Sequence, residues 1–325
     1  MSGGFTAEGA AVPLAWRGRL RHAARDALEW LLLPAVSAVM PWRLGFRFYR
    51  RVAQSNRLFG AATRSVLAAS AARCPPAEPT AWAAAYRLVH LIDRADLWLS
   101  RFRSDRWIDR HLEVEGDAWP DRPFVGITFH YGAGLWAIRQ LCRGGRRASF
   151  LSLRLDHGFA RGSLLQHAYA RARLREVESA GRAPVIYTRG SFAEMRAALG
   201  RGVCILGLID IPPGKAHSGT PVQFLGDRAW FPTGLLRLAR IENAPVAVFT
   251  LGCDRATGKR KLHIRCLPAR DPGPSENDEE RLQIIARELE QAIEADPPAW
   301  HAWADLSLFR QAPAVRATRD GDGDA

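Results

Sequence analysis

The chain has 325 residues and a formal net charge of +13, and it is long enough to bury a substantial core in one large α/β domain or two small ones. The charge favours a polyanionic partner, but no nucleic-acid reading motif and no spaced stacking aromatics accompany it, so nucleic acid is not expected as a partner. Five scattered cysteines without a C-x-x-C pair argue against a zinc site or a disulfide framework and favour a reducing compartment.

The amino-terminal third is predicted to be helical and to lie on a membrane. Residues 1–20 are expected to form a disordered leader and residues 21–110 a helical membrane-anchoring region. The uncharged run from Trp30 to Trp42 contains two prolines and is shorter than the roughly 20 residues that span a bilayer. Clustered arginines follow it, so we expect an interfacial anchor with tryptophan rings at headgroup depth, the alternative being a helix packed in a soluble core.

From residue 111 to residue 310 the pattern predicts a mixed, largely parallel central sheet flanked by helices, followed by a disordered tail at 311–325. Apolar β-type runs alternate with helical ones, which is the order that produces parallel strands with helices on both faces. The predicted helices cover 133–143, 161–179, 191–201, 232–242 and 277–295. The predicted strands are Phe124–Phe129, Ala148–Leu153, Pro184–Tyr187, Val203–Ile209, Pro245–Gly252 and Lys261–Leu267.

One strand of this sheet leads directly into a histidine. The segment Phe124-Val-Gly-Ile-Thr-Phe-His130 is followed by a glycine-containing turn and a predicted helix, which places His130 at the carboxyl edge of the sheet, where α/β proteins bind ligands. A histidine there suits a general base acting on a hydroxyl. Backbone amides at the helix start, around Gly132 and Gly134, are candidates to face an oxyanion or a phosphate. The alternative is a histidine held by local hydrogen bonds.

A weaker reading of the same turn is a dinucleotide site. Gly132, Gly134 and Ala137 spell G-x-G-x-x-A after a strand, and Asp156 follows the next strand at roughly the distance expected of a ribose-binding acid. The motif is short and no recognisable catalytic set follows it. Dinucleotide binding is therefore kept as a remote alternative.

The order of features resembles the late acyltransferases of lipid A biosynthesis, in the lysophospholipid acyltransferase superfamily, over about residues 25–310. These proteins have an amphipathic anchor, a strand ending in a histidine, an Arg-rich segment, a strand leading to an aspartate and a Trp-rich carboxyl end. The counterparts here are Arg171-Ala-Arg173-Leu-Arg175, Ala198-Leu-Gly-Arg-Gly202, Ile209-Asp210, Phe224-Leu-Gly226, Pro232-Thr-Gly234, Leu238-Ala-Arg-Ile-Glu-Asn-Ala-Pro245-Val and Trp300-His-Ala-Trp303.

The resemblance implies transfer of a fatty acyl group from an acyl-carrier-protein or CoA thioester to a hydroxyl of a membrane lipid or glycolipid, with no cofactor or metal. In the family the histidine begins an H-x-x-x-x-D/E motif whose carboxylate orients it. His130 matches the first position, but Leu135 stands at the last and accepts no hydrogen bond. Asp210 and Asp156 are the candidates to replace the missing carboxylate, because both follow strands at the same sheet edge. Loss of the reaction, or an acceptor with a more acidic hydroxyl such as a phenol, are the alternatives.

Basic side chains are the expected substrate-binding residues. Arg173 matches the family's Arg-rich stretch, with Arg171 and Arg175 as possible substitutes. Arg189 matches a commonly basic position, and Arg154 follows the strand Ala148–Leu153. Each is equally compatible with a solvated surface. The function expected from the resemblance is a peripheral or monotopic O-acyltransferase of lipid biosynthesis on the cytoplasmic face of an inner membrane, attracted to its anionic surface. The alternative is a non-catalytic lipid- or acyl-carrier-binding relative that lost the carboxylate.

Overall fold

A computed structural model of the chain describes residues 16–155, 163–188, 191–213, 219–267 and 278–312. Six helices come first, and then strands and helices alternate. The helices are α1 Trp16–Ala27, α2 Leu33–Val39, α3 Trp42–Val52, α4 Gly60–Ala71, α5 Pro79–Phe102, α6 Asp105–Arg110, α7 Leu135–Leu141, α8 Leu164–Gly181, α9 Phe192–Gly200, α10 Gly234–Ile241, α11 Asp278–Ala295 and α12 Leu306–Phe309. A π-helical turn, Leu28–Leu32, joins α1 to α2.

Seven of the strands form one mixed sheet in the order β1-β9-β8-β2-β5-β3-β4. Neighbouring strands from β8 to β4 are parallel, and β9 is antiparallel to β8, so the edge pair β9 and β1 runs the other way. A separate antiparallel hairpin contains β6 and β7. The strands are β1 Leu112–Gly116, β2 Val125–Thr128, β3 Arg147–Ser152, β4 Ile186–Tyr187, β5 Val203–Leu208, β6 Thr220–Phe224, β7 Asp227–Phe231, β8 Val246–Cys253 and β9 Arg260–Leu267.

The predicted fold class, a largely parallel sheet flanked by helices, is confirmed. Each of the six predicted strands and five predicted helices overlaps an observed element, with ends that differ by at most three residues. The central strands β2 and β5 are buried along nearly all of their length because helices cover both of their faces. Strand β1 and the β6–β7 hairpin were not predicted.

The amino-terminal helices share one core with the sheet. Alternate residues of the central strands point to opposite faces: Val125 and Ile127 join α9, α10 and α11 in one apolar cluster. Phe124 joins residues of α2, α3, α5, α7 and α8 in the other.

A buried ion pair reinforces this contact between the amino-terminal helices and the sheet. Arg260 of β9 and Asp96 of α5 are both fully buried, and Arg260 Nε donates to Asp96 Oδ2 at 3.0 Å while a second guanidinium nitrogen contacts Oδ1. The guanidinium lies between the rings of Trp42 and Trp136, 4.7 and 4.6 Å from their centroids. The pair therefore connects α3, α5, α7 and β9.

The tryptophans of the expected anchor point into the protein. Trp42 is 4% exposed and packs against Phe46, and Trp30 packs edge-on against Tyr169 with the Arg94 guanidinium over its ring. The expectation of rings at headgroup depth was wrong for Trp42, because this ring completes the core beneath Arg260.

Aliphatic side chains take the exposed positions instead. Leu28, Leu31 and Leu32 are 40–57% exposed and follow helical spacing, and Val39 continues the stripe. Helix α3 exposes four arginines, Arg43, Arg47, Arg50 and Arg51. No helix in the described part of the chain is both long enough and apolar enough to cross a membrane.

Candidate functional site

The candidate site forms where two neighbouring parallel strands end. Strands β2 and β5 are paired so that Thr128 lies beside Leu208. His130 and Asp210 each follow these residues by two positions, so the register brings both to the same edge of the sheet. Both strands run in the same direction, so this is the carboxyl edge, where α/β folds usually bind ligands.

His130 and Asp210 form a close pair. The Nδ1 atom of His130 lies 3.0 Å from Oδ1 of Asp210, and the backbone N–H of His130 donates to both carboxylate oxygens at 3.0 and 2.9 Å. An ionised carboxylate only accepts hydrogen bonds, so in the neutral imidazole Nδ1 carries the proton and Nε2 keeps a free lone pair. Asp210 is completely buried, whereas the His130 side chain is 29% exposed. The pair has the geometry of a general base oriented by a carboxylate.

Trp300 completes the environment of the carboxylate. Its indole Nε1–H donates to Asp210 Oδ2 at 2.9 Å, so both oxygens of this fully buried group are hydrogen-bonded. Leu135, five positions after His130, is 2% exposed and lies in the apolar cluster that α7 shares with the amino-terminal helices. Asp210 therefore contacts the histidine from another strand, while position 135 belongs to the core.

The turn after His130 is held by the carboxyl-terminal segment. The backbone N–H of Gly132 donates to the Ala299 carbonyl, and the Gly132 carbonyl oxygen lies 2.7 Å from Nε2 of His301. The backbone N–H of His301 donates to the His130 carbonyl. The amides of Tyr131 and Ala133 are also bonded within the protein. The expectation that the Gly132 amide faces an oxyanion or a phosphate is thus not met, because that N–H is already used. The same bond removes the main donor required by the dinucleotide reading.

Replacing Gly132 by alanine is expected to destabilise the protein by more than about 1 kcal/mol. Gly132 has φ +60°, and a Cβ there would lie 1.9 Å from the Leu251 carbonyl oxygen, so the turn that carries His130 must shift. Gly134 is the matched control, since a Cβ there meets nothing within 4 Å. Urea denaturation should show a loss in Gly132→Ala that exceeds any change in Gly134→Ala, and equal stabilities would contradict the account.

Two further histidines lie behind the turn. The rings of His301 and His90 pack edge to face with centroids 4.6 Å apart. Burial lowers the pKa of His301 to about 4, against the opposing effects of Asp93 and of the hydrogen bond to Gly132. Burial also lowers the pKa of His90 well below its ordinary value. Both rings are therefore neutral at pH 7.

These histidines make stability sensitive to acid. An unfolded histidine titrates near about 6.5, so between that pH and about 4 the unfolded chain binds more protons than the folded protein does. The free energy of unfolding is expected to decrease as the pH falls through this window. His301→Gln, which keeps an N–H donor for Gly132, should lose less stability between pH 7 and pH 5 than the wild type. An equal loss in both proteins would contradict this assignment.

Arg173 lies beside these histidines and is paired with an acid. Its Nη2 donates to Asp93 Oδ1 at 2.8 Å and its Nη1 to the Tyr169 hydroxyl at 3.3 Å. Burial alone would raise the pKa of Asp93, but the charges of Arg173, His301 and Arg94, with the hydrogen bond from Arg173, together outweigh it and the pKa is lowered. The two side chains are 26% and 21% exposed, so both keep a solvent-accessible edge. Arg173 was predicted from the sequence, whereas Asp93 and His301 were not.

The other predicted basic residues do not gather around His130. Arg175 is exposed on α8 and borders a polar cleft with Arg139 and Arg182, on a different side of the helix from Arg173. Arg154 lies over the Tyr187 ring at 4.9 Å, at the ends of β3 and β4 and so at least one strand further from β2 than Asp210. Arg189 and Asp156 lie outside the described residues.

The described residues contain no cluster of His, Cys, Asp or Glu side chains placed to hold a metal ion. Comparison of the chain with models of known protein families and with curated proteins found no match.

Proposed function

We propose that the protein is a membrane-associated O-acyltransferase that transfers a fatty acyl group from an acyl-carrier-protein or CoA thioester to a hydroxyl of a lipid or glycolipid. The observation that carries the proposal is the contact between Nδ1 of His130 and the buried carboxylate of Asp210, at 3.0 Å. This contact supplies the carboxylate that Leu135 does not. It also leaves Nε2 unprotonated on a ring that is partly open to solvent.

The reaction follows from these two groups. His130 Nε2 takes the proton of the acceptor hydroxyl while the oxygen attacks the thioester carbonyl carbon. The tetrahedral intermediate then collapses with cleavage of the C–S bond, and the leaving sulfur takes the proton back from the imidazolium. The products are an ester and a free thiol. Asp210 holds the ring in the required tautomer and stabilises the imidazolium that forms between the two proton transfers.

The lipid acceptor is expected to be met at a membrane surface. The exposed stripe of Leu28, Leu31, Leu32 and Val39, with the arginines of α3 nearby, joins apolar area to positive charge in the way an interfacial helix does. Arg173, which pairs with Asp93 and keeps a solvent-accessible edge, is the candidate for an anionic group of the acceptor. In this proposal the protein meets the lipid acceptor on the cytoplasmic face of the membrane.

Replacing Leu31 and Leu32 together by serine is expected to weaken binding to anionic vesicles by about tenfold or more, because each exposed leucine would bury apolar area in the bilayer interface. Leu308→Ser is the matched control, since Leu308 is also an exposed leucine, at 37%, on α12. Co-sedimentation at moderate salt measures the effect. If both proteins bind vesicles like the wild type, the stripe is not the membrane contact.

Transfer itself is tested with purified protein, a labelled acyl thioester and a panel of lysolipid, glycolipid and phenolic acceptors. We expect labelled ester from at least one acceptor class, and loss of that ester in His130→Ala. Turnover that His130→Ala leaves unchanged would overturn the assignment of the base. Binding of thioester or lipid without any transfer would favour the non-catalytic relative instead.

A further inference from the structure

The carboxyl-terminal segment contacts the candidate site at several points. Trp300 donates to Asp210, and the backbone of Ala299 and His301 bonds that of Gly132 and His130. An isolated β-bridge pairs Tyr131 with Trp300. Most of these contacts fix the backbone of the turn. Only the indole of Trp300 reaches the carboxylate that faces the imidazole.

Trp300 is itself rigidly placed. It is completely buried, and its ring packs against Trp303 at 5.0 Å, Phe224 at 5.6 Å and Phe309 at 6.2 Å between centroids. An aromatic ring enclosed on several sides has one available orientation, so its N–H points in a fixed direction. That direction is toward Oδ2 of Asp210, at 2.9 Å.

Each carboxylate oxygen of Asp210 accepts hydrogen bonds from a different pair of donors. Oδ2 accepts from the Trp300 indole and from the His130 backbone amide, while Oδ1 accepts from that amide and from Nδ1 of the His130 ring. Without the indole, Oδ2 of the completely buried carboxylate would lose the one side-chain donor that the described residues provide for it. The carboxylate could then rotate to satisfy both oxygens with the remaining donors, and Nδ1 would lose its fixed partner.

We infer that Trp300 is a positioning residue for the His130–Asp210 pair, acting through its indole N–H to hold the carboxylate in the plane that selects the Nδ1-protonated tautomer of His130. The inference rests on the proposed acyl transfer for its catalytic consequence. Its structural consequence, the tautomer of His130, can be observed without any reaction. Trp300 thus adds a third member to the pair, contributed by the far end of the chain.

The test compares Trp300→Phe with Trp303→Phe in the full-length protein. Trp303 is the matched control because it is equally buried, touches Trp300, and donates its indole N–H at 2.8 Å to the Pro297 carbonyl instead of to Asp210. Nitrogen-15 spectra of histidine-labelled protein report the tautomer, with the His130 signals identified by their absence in His130→Ala. The rate of acyl transfer is measured on the same samples.

We expect wild type and Trp303→Phe to show a single Nδ1-protonated form of His130 at neutral pH, and Trp300→Phe to show a mixture. The transfer rate should fall by about ten- to a hundred-fold in Trp300→Phe, as for other groups that orient a site residue, and by less than about threefold in Trp303→Phe. A single unchanged tautomer in Trp300→Phe, or the same change in both variants, would overturn the inference.

One outcome separates this inference from the proposed function. A tautomer change confined to Trp300→Phe, in a protein that transfers no acyl group, supports the positioning role and contradicts the transferase. If Trp300→Phe does not fold, 3-benzothienylalanine introduced at position 300 keeps the ring volume but replaces the N–H by sulfur. The same change of tautomer is then expected, and its absence would overturn the inference.

Discussion

Asp210→Asn is expected to lower kcat by about ten-thousand-fold, the loss seen when the aspartate of a hydrolase triad is replaced in this way. The amide keeps the size of the side chain and one oxygen that can accept from Trp300 and from the His130 backbone. Its NH₂ group, however, would face Nδ1, and that nitrogen would have to accept a hydrogen bond. The proton would then sit on Nε2, which can no longer act as a base.

The control for this variant is Asp254→Asn. Asp254 accepts hydrogen bonds from the amides of Ala256 and Thr257 in the turn between β8 and β9, and it has no contact with His130. Its replacement should leave kcat within about threefold of wild type, as expected for a surface change away from the site. Steady-state transfer rates and a melting curve for each variant give the comparison. If Asp210→Asn retains a tenth or more of the wild-type rate, Asp210 does not support the base.

Asp96→Ala is expected to lower the free energy of unfolding by about 3–5 kcal/mol, because it leaves the guanidinium of Arg260 buried without its counter-charge. Both side chains are fully buried, and Arg260 is enclosed by Trp42 and Trp136 as well. Replacing the pair together, as Asp96→Leu with Arg260→Met, should cost less than Asp96→Ala alone, since no unpaired charge remains.

Glu113→Ala provides the comparison at the surface. Glu113 pairs with Lys259 at 2.7 Å, but their side chains are 42% and 43% exposed, so the expected loss is below about 1 kcal/mol. Urea denaturation monitored by tryptophan fluorescence measures these variants. Losses of the same size for Asp96→Ala and Glu113→Ala would show that the buried pair is not what connects the amino-terminal helices to the sheet.

The alternating pattern of apolar runs was sufficient to predict the central strands of the sheet. It did not predict the edge strand β1 or the β6–β7 hairpin. Strand β1 carries Glu113 and Glu115 at an edge with one neighbour, so it lacks the apolar run that marked the central strands. The β6–β7 hairpin turns at Leu225 and Gly226, both with positive φ. A leucine rarely occupies that conformation, so the turn lacked the residue pair that usually identifies it.

The site was predictable in part, for reasons of topology. The end of an apolar strand indicated His130, and the aspartate after another strand indicated Asp210. That β5 lies directly beside β2 depends on the crossovers of the chain, which the order of elements does not determine. Leu135 stands where a carboxylate was expected from local spacing, but the carboxylate that contacts His130 belongs to Asp210. Trp300 and His301 could be recognised in the sequence as part of a Trp-rich segment. Their contacts with the Asp210 carboxylate and the Gly132 carbonyl could be known only from the fold.

If His130 and Asp210 act as one catalytic unit, the effects of replacing them should not add in a double variant. Transfer rates are measured for His130→Ala, Asp210→Asn and the variant carrying both. If the carboxylate works only through the imidazole, the double variant should be no more than about threefold slower than His130→Ala alone. If the rate losses of the two single variants multiply in the double variant, the two residues act independently. If His130→Ala is as fast as the wild type, His130 is not the base.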